Sequence, residues 1–306
     1  MTAPGTGPTP KPPPPSAPPK PPPPSKHAPA AASAGPINIG QAKPTAPCPR
    51  IVLATVEGWG KTTCGAYAPN PFMCMVRGET GYATLLGAGT VPAVDTMMDD
   101  DNMPRSVDTW FDLLSVVDHL ANNDTGHKTF VLDALGGAER LCHEFVCNRD
   151  FDGDWGEKGF ASYQKGFDIS VGEWLKLLAG FDRLHRKGII VLLLSHVMVR
   201  PFKNPVAADF DRYVSDVHHK TWGPTAKWAD ACLFGTYITV VDKVVRSGKQ
   251  RDKGKGIGGT DRILYTERRD TWDAKNRYQM PEEIDIPNDA TAVWSTIYGA
   301  MIRKEQ

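Results

Sequence analysis

"VEGWGKTTCG", residues 56–65, is the stretch on which the fold turns. Gly60, Lys61 and Thr62 form the end of a phosphate-binding loop. The full pattern G-x-x-x-x-G-K-[ST] asks for glycine at position 55, where this chain has Thr55. The tripeptide alone has two readings: a nucleotide site, or a glycine-rich turn with an exposed lysine. Its flanks favour the first. "RIVLATV" (50–56) is an unbroken apolar run of the kind buried on both faces of a parallel sheet, and "TTCGAYA" (62–68) can open a helix. A strand, a turn and a helix N-terminus together aim backbone N–H groups and the helix dipole at a phosphate. The candidate cradle is therefore Glu57, Gly58, Trp59, Gly60, Lys61, Thr62 and Thr63. Gly58 and Gly60 permit close approach, Lys61 would reach the β and γ phosphates of ATP, and Thr62 would hold Mg2+.

Outward from this loop, apolar runs at 71–76 ("PFMCMV"), 128–133 ("KTFVLD"), 188–196 ("GIIVLLLSH") and 231–241 ("ACLFGTYITVV") read as further buried strands. Helical patterns lie between them. Residues 107–122 place Trp110, Leu113, Leu114, Val117 and Leu120 on one face. Residues 171–187 open with Ser170 and Glu173 in capping-box spacing and repeat Val171, Trp174, Leu175, Leu178 and Phe181. Alternating strands and helices predict an α/β fold with a mainly parallel sheet. Two long polar stretches, 148–166 and 197–224, read as loops, and loops of that length inside a compact domain are usually functional or mobile.

Three strand ends carry chemistry. "TFVLD" ends in Asp133, placed as a Walker B-type carboxylate in the outer shell of Mg2+ or, more simply, as a strand-end Asp capping the next turn. Glu79, in "RGETG" after the second strand, would orient or deprotonate an attacking water, though by spacing alone a surface glutamate is the simpler reading. The fourth run ends in Ser195 and His196; His196 either senses a γ-phosphate or is a histidine hydrogen-bonded at a strand end.

Composition sets the outer limits. Of 27 prolines, 18 precede residue 50, in runs such as "KPPPPSAPPKPPPPS". So proline-rich and aromatic-free a stretch cannot offset its ordering entropy, which predicts a disordered or polyproline II segment over residues 1–48 and one folded domain over 49–306. Residues 1–50 carry five basic residues and no acid, leaving 30 basic and 35 acidic residues in the remainder. Nucleic-acid contact then requires a local basic patch rather than global charge. No apolar run is long enough to span a membrane and no apolar signal core opens the chain, which predicts a soluble, cytoplasmic protein without membrane contact. Six cysteines without C-x-x-C pairs suit reduced thiols.

"EGWGKTT", "RGETG", "GAERLCHEFVC", "DFDGDWGEKGF", "FKNPVAADFDRY" and "KWADACLFG" together resemble the phage-encoded RecA-like P-loop ATPases of AAA type, whose recombination members are the Sak-type single-strand annealing ATPases. The resemblance covers roughly residues 50–285 and leaves out the proline-rich segment. It implies a RecA-like P-loop NTPase domain, with a C-terminal β-hairpin region, that binds ATP and Mg2+. It further implies Glu79 as the water-activating carboxylate and His196 as the sensor, in place of the usual glutamine. "DAKNRYQMPEEI" resembles the Lys-x-Arg segment of hexameric relatives, which implies that Lys275 and Arg277 reach a neighbouring subunit's γ-phosphate in a ring or filament.

Single-stranded DNA binding needs cations beside aromatic platforms. The 197–224 stretch supplies Arg200, Lys203, Arg212 and Lys220 with Phe202, Tyr213 and Trp222; the 148–166 stretch supplies Lys158 and Lys165 with Trp155, Phe160 and Tyr163. Residues 243–277 add 11 basic residues against 5 acidic ones. Solvated loops are the plain alternative. Three functions stay in view: an ATPase acting on single-stranded DNA in recombination or replication, a nucleotide-gated annealing module with little turnover, and a helicase or packaging motor. The P-x-x-P runs offer a docking segment for a single-strand-binding or host replication protein, or a spacer. "NRDFDG" imitates a calcium loop but has Gly159 where a bidentate glutamate is needed, and "CHEFVC" lacks a second ligand pair.

Overall fold

Strand β1 (Arg50–Thr55) lies at the centre of a twisted sheet, and the order in which the chain lays its neighbours positions every later residue of interest. The computed structural model describes residues 48–242 and 255–302. The proline-rich segment up to residue 47 and the basic stretch 243–254 lie outside the described residues.

From β1 the chain passes through α1 (Lys61–Ala66) to β2 (Pro71–Met75), α2 (Gly81–Gly87) and a two-residue edge strand β3 (Asp95–Thr96). It continues through α3 (Trp110–Asn122), β4 (Thr129–Asp133), α4 (Leu135–Asp150), α5 (Lys165–Arg186) and β5 (Ile190–Phe202). After β6 (Phe210–Ser215) and α6 (His219–Trp228), β7 (Ala231–Asp242) returns to the sheet. β8 (Lys255–Tyr265), β9 (Lys275–Asn276), β10 (Glu283–Ile286) and α7 (Ala290–Ile302) complete it. The strand order is β10-β8-β7-β1-β5-β4-β2-β3. Pairing is parallel from β7 through β3 and antiparallel from β7 out to β10. In this mostly parallel, helix-flanked sheet, β5 is inserted between β1 and β4. The chain order therefore reverses beside β1, which opens a crevice at the carboxyl ends of the strands.

Alternation along the strands sorts the core into two layers, because successive side chains point to opposite faces. Val52, Cys74, Phe130, Leu132, Val191 and Leu193 pack under α3, α4 and α5. Ile51, Leu53, Met73, Val131, Leu192, Leu194 and Leu233 pack under α1 and α7. α3 is capped by Thr109, whose hydroxyl accepts from the Asp112 amide at 3.1 Å, a contact of about 1 kcal/mol.

Several expectations need correction. The helix expected at 171–187 begins at Lys165, because Phe167 and Ile169 join Phe160 and Val146 in a separate apolar cluster that rewards the extra turns. Ser170 consequently sits inside the helix, bonding back to the Gly166 carbonyl at 2.8 Å, and Glu173 pairs with Arg149 and Lys176 instead of closing a capping box. Leu175, placed by periodicity on the buried face, is exposed, while Leu177 is buried. The 197–224 stretch is no loop. β5 runs on past the sheet to pair with β6 as a hairpin, from Val197 opposite Ser215 to Phe202 opposite Phe210, with those two rings 5.2 Å apart. α4 likewise extends into the expected 148–166 loop as far as Asp150.

Candidate functional site

Register brings the candidate residues to one edge. Thr55, the last residue of β1, is paired with His196 on one side and Gly235 on the other; Asp133 ends β4 opposite Met75 of β2 and Leu194 of β5. Because β5 separates β1 from β4, His196 stands between the start of α1 and the Glu79 turn that follows β2.

The phosphate-binding loop takes shape from two left-handed glycines, Gly58 (φ 74°) and Gly60 (φ 99°), a region that side chains with a Cβ rarely adopt. Gly60 delivers the chain into α1, and the Cys64 amide closes the first turn on its carbonyl at 2.9 Å. Thr55 answers the missing motif glycine. Its side chain is fully buried and faces Gly235 on the adjacent strand, together with Trp59, also fully buried. A Cβ on Gly235 would lie 2.6 Å from Trp59 and 2.9 Å from Thr55. The small residue that the motif asks for at the loop entrance is supplied across the sheet. Trp59 is thus core packing, whereas Glu57 is exposed beside the loop.

Five polar side chains connect the loop to the strand ends. Lys61 Nζ lies 3.2 Å from His196 Nδ1, and His196 Nε2 lies 3.7 Å from a Glu79 carboxylate oxygen. Thr62 donates its hydroxyl proton to Asp133 Oδ2 at 2.7 Å. The His196 contact holds the Glu79 carboxyl below its usual range, and Glu79 in turn pushes His196 above the ordinary imidazole value. Burial pushes Asp133 up against the opposing bond from Thr62. The other oxygen of Asp133 is buried with no hydrogen-bond partner among the described residues. A buried carboxylate with one unsatisfied oxygen, bonded to the Thr62 hydroxyl, is a donor set that suits a hard divalent cation. The residues present therefore fit Mg2+ beside a nucleotide.

Sequence reasoning missed Ser215 and Asp216, which stand behind Ser195 and His196. Ser195 bonds Ser215 at 2.6 Å and Asp216 Oδ1 at 3.2 Å, and the Asp216 amide donates to the His196 carbonyl. Asp216, whose carboxyl burial pushes up, lines a cavity of about 430 Å³ with Glu79, His196, Glu139, Arg140, His143 and Trp155. Only the β5–β6 hairpin, unrecognised as such, brings Asp216 there.

The DNA candidates divide. Arg200 and Lys203 are exposed on the projecting hairpin, and Lys158, Lys165, Trp155 and Tyr163 are exposed after α4. Arg212 is buried, paired with Asp273 and stacked on Phe202; Lys220 is half-buried and paired with Asp168 at 2.6 Å; Phe160 is core. Lys275 and Arg277 sit at the opposite end of β7 from the phosphate-binding loop, because β9 pairs with Ala231 and Cys232. Arg277 bonds Asp230 at 2.8 Å, which Arg50 also grips. No helix among the described residues is long and apolar enough to cross a membrane.

Compared with known proteins, residues 48–278 match the family described as AAA domain. No curated protein matches the sequence. Among solved structures, a KaiC-like protein from the hyperthermophilic archaeon Pyrococcus horikoshii OT3 is similar at 10% identity, over 79% of this chain and 87% of that one, with a TM-score of 0.37. A prototypical ATPase from the type III secretion system of pathogenic bacteria is similar at 12% identity over 61% of this chain, with a TM-score of 0.35. The match covers 52% of that ATPase.

Proposed function

The chain belongs to the AAA domain family, and from that premise we propose that it is a Mg2+-dependent ATPase acting on single-stranded DNA in phage-type recombination, annealing or replication. The observation that carries the ATPase reading is the convergence of Lys61, Thr62, Asp133, Glu79 and His196 on one sheet edge. Lys61 and the loop amides bind the β and γ phosphates. Thr62 and Asp133 are the residues that would hold Mg2+, which when bound neutralises phosphate charge. Glu79, ionised at neutral pH, orients a water for attack on the γ-phosphorus. The bond to the bridging oxygen then breaks, ADP and phosphate leave, and the water's proton passes to the carboxylate or to solvent. His196 touches Lys61 on one side and faces Glu79 on the other. In this reading it registers whether a γ-phosphate has drawn Lys61 away, which its contacts with both residues support.

DNA contact in this reading rests on Arg200 and Lys203, on a hairpin continuous with the strand that carries His196, and on Lys158 and Lys165 with Trp155. Lys275 and Arg277 would act only in a neighbouring copy of a ring or filament, in the cytoplasm, and the proline-rich sequence would recruit a single-strand-binding or replication protein. The test is ATP hydrolysis with and without single-stranded DNA. Stimulation several-fold, lost in Lys61→Ala and Glu79→Gln, is expected. DNA binding without turnover would favour a nucleotide-gated annealing module, and failure to bind millimolar Mg-ATP would end both readings.

A further inference from the structure

We propose that Tyr237 and Arg262 are positioning residues that clamp the phosphate-binding loop from the β7–β8 pair and set its affinity for nucleoside di- and triphosphates. The proposal rests on the nucleotide-binding reading but concerns residues outside the motif. Tyr237 and Arg262 stand directly opposite one another in the antiparallel pair. Opposed residues project from the same face of a sheet, so the two side chains arrive together. Beside them the register shifts, from Tyr237 opposite Arg262 to Thr239 opposite Gly258. The extra β8 residues form a bulge, a device that bends a strand and re-aims its side chains.

Both side chains end on loop carbonyls. Tyr237 Oη donates to the Gly58 carbonyl at 2.7 Å, and Arg262 Nη1 donates to the Trp59 carbonyl at 2.8 Å. The Arg262 guanidinium also lies 5.7 Å from the centre of the Trp59 ring, and its other nitrogen bonds the Pro287 carbonyl ahead of α7. One planar fork therefore ties the loop to a second, separate segment. Across a planar trans peptide the N–H of Gly60 points opposite to the Trp59 carbonyl. The bond from Arg262 thus aims that N–H away from β8. Arg262 Nη1 also lies 3.0 Å from where a Cβ on Gly60 would be, so the cation sits against the loop at its last left-handed residue. A loop whose amides already point one way loses less freedom when a phosphate binds.

The test uses the full chain. Hydrogen exchange is measured over residues 56–61 without nucleotide, and Mg-ADP and Mg-ATP are titrated by calorimetry. Arg262→Ala is expected to speed loop exchange about tenfold while β1 and β5 keep wild-type protection, and to weaken both nucleotides about tenfold. Tyr237→Phe, which removes only the hydroxyl, should give a smaller change in the same direction. Arg262→Lys keeps the charge without the fork and should fall between wild type and alanine. Unchanged exchange over 56–61 in Arg262→Ala would overturn the clamp, as would equal acceleration throughout β1 and β5. If the wild type binds neither nucleotide, the ATPase reading fails, and the exchange comparison still decides whether the clamp exists.

Discussion

Gly235→Ala adds one methyl group at the point where β7 meets the loop entrance, and the structure leaves that methyl no room. It would lie 2.6 Å from Trp59 Cε2, 2.9 Å from Thr55 Cγ2 and 3.0 Å from Trp59 Cδ2, against an ordinary carbon contact of about 3.5–4.0 Å. Trp59 and Thr55 are both fully buried, so neither can turn into solvent. The backbone cannot simply retreat, because the Gly235 carbonyl accepts from the Val56 amide at 3.1 Å. Overpacking of this kind costs about 1–3 kcal/mol. Replacing a strand glycine returns about 0.5–1 kcal/mol of backbone entropy, which leaves a net loss of up to roughly 2.5 kcal/mol. In a domain of this size that is a fall in Tm of up to about 10 °C, measurable by thermal or urea unfolding. The same substitution in a Trp59→Phe background, where the ring is smaller, should cost at least about 0.5 kcal/mol less. Equal cost in both backgrounds, or no cost in either, would refute the account of Thr55 as packing shared across the sheet. The converse change, Thr55→Gly, restores the motif glycine and should also destabilise, by about 1–2 kcal/mol, because it empties a filled site and adds a flexible residue to a strand.

Three further outcomes follow from the site and its surroundings. Burial raises the Asp133 pKa, so its contribution to stability is present below the ordinary 3.8 and lost as pH rises through its folded value. Asp133→Asn should therefore unfold no more easily than wild type at pH 7 while, on the proposed reading, ATP hydrolysis assayed with Mg2+ falls at least about a hundredfold; clear destabilisation at pH 7 would contradict that sign. The half-buried Glu79–His196 pair behaves differently, with Glu79 lowered from 4.5 and His196 raised from 6.5. Its stabilisation, at most about 1 kcal/mol, is present between those values, lost by Glu79 at lower pH and lost by His196 as pH rises through its folded value. His196→Asn should accordingly flatten the stability profile as pH rises above the ordinary imidazole value of 6.5. Third, Arg212→Ala, which strands Asp273, should cost about 2–3 kcal/mol in urea unfolding, whereas Arg200→Ala and Lys203→Ala should stay within about 0.5 kcal/mol and show their effect in single-stranded DNA affinity.

Parallel strands buried on both faces are unbroken apolar runs, so β1, β4 and the sheet part of β5 are legible in "IVLAT", "TFVLD" and "IIVLLLS", and with them the strand ends that carry Asp133 and His196. What lay hidden depends on contacts distant in sequence. The β5–β6 hairpin contains Pro201 and a run of polar residues, and it becomes sheet only because its two arms pair with each other beyond the core. The early start of α5 is an effect of burial of Phe167 against Phe160, which local periodicity does not report. Leu175 and Leu177 are equally apolar, and only the elements packed around α5 decide which is covered. Arg212 reads as a nucleic-acid cation until Asp273, from a segment 61 residues later, pairs with it.

The loop entrance shows why a motif written along one strand underdescribes this site. A phosphate-binding loop must leave its strand sharply, and a glycine at position 55 would make that exit by removing a side chain. Here the side chain stays, and the space comes from Gly235, 180 positions later and directly opposite in the parallel pair. The loop is then held from the same side, by Gly235 at Val56, Tyr237 at Gly58 and Arg262 at Trp59. The constraint has moved from the sequence of the loop to its neighbours in the sheet. It follows that changes on β7 and β8 should alter nucleotide affinity as strongly as changes within residues 56–60, and that Glu57, exposed and outside these contacts, should tolerate substitution better than Trp59.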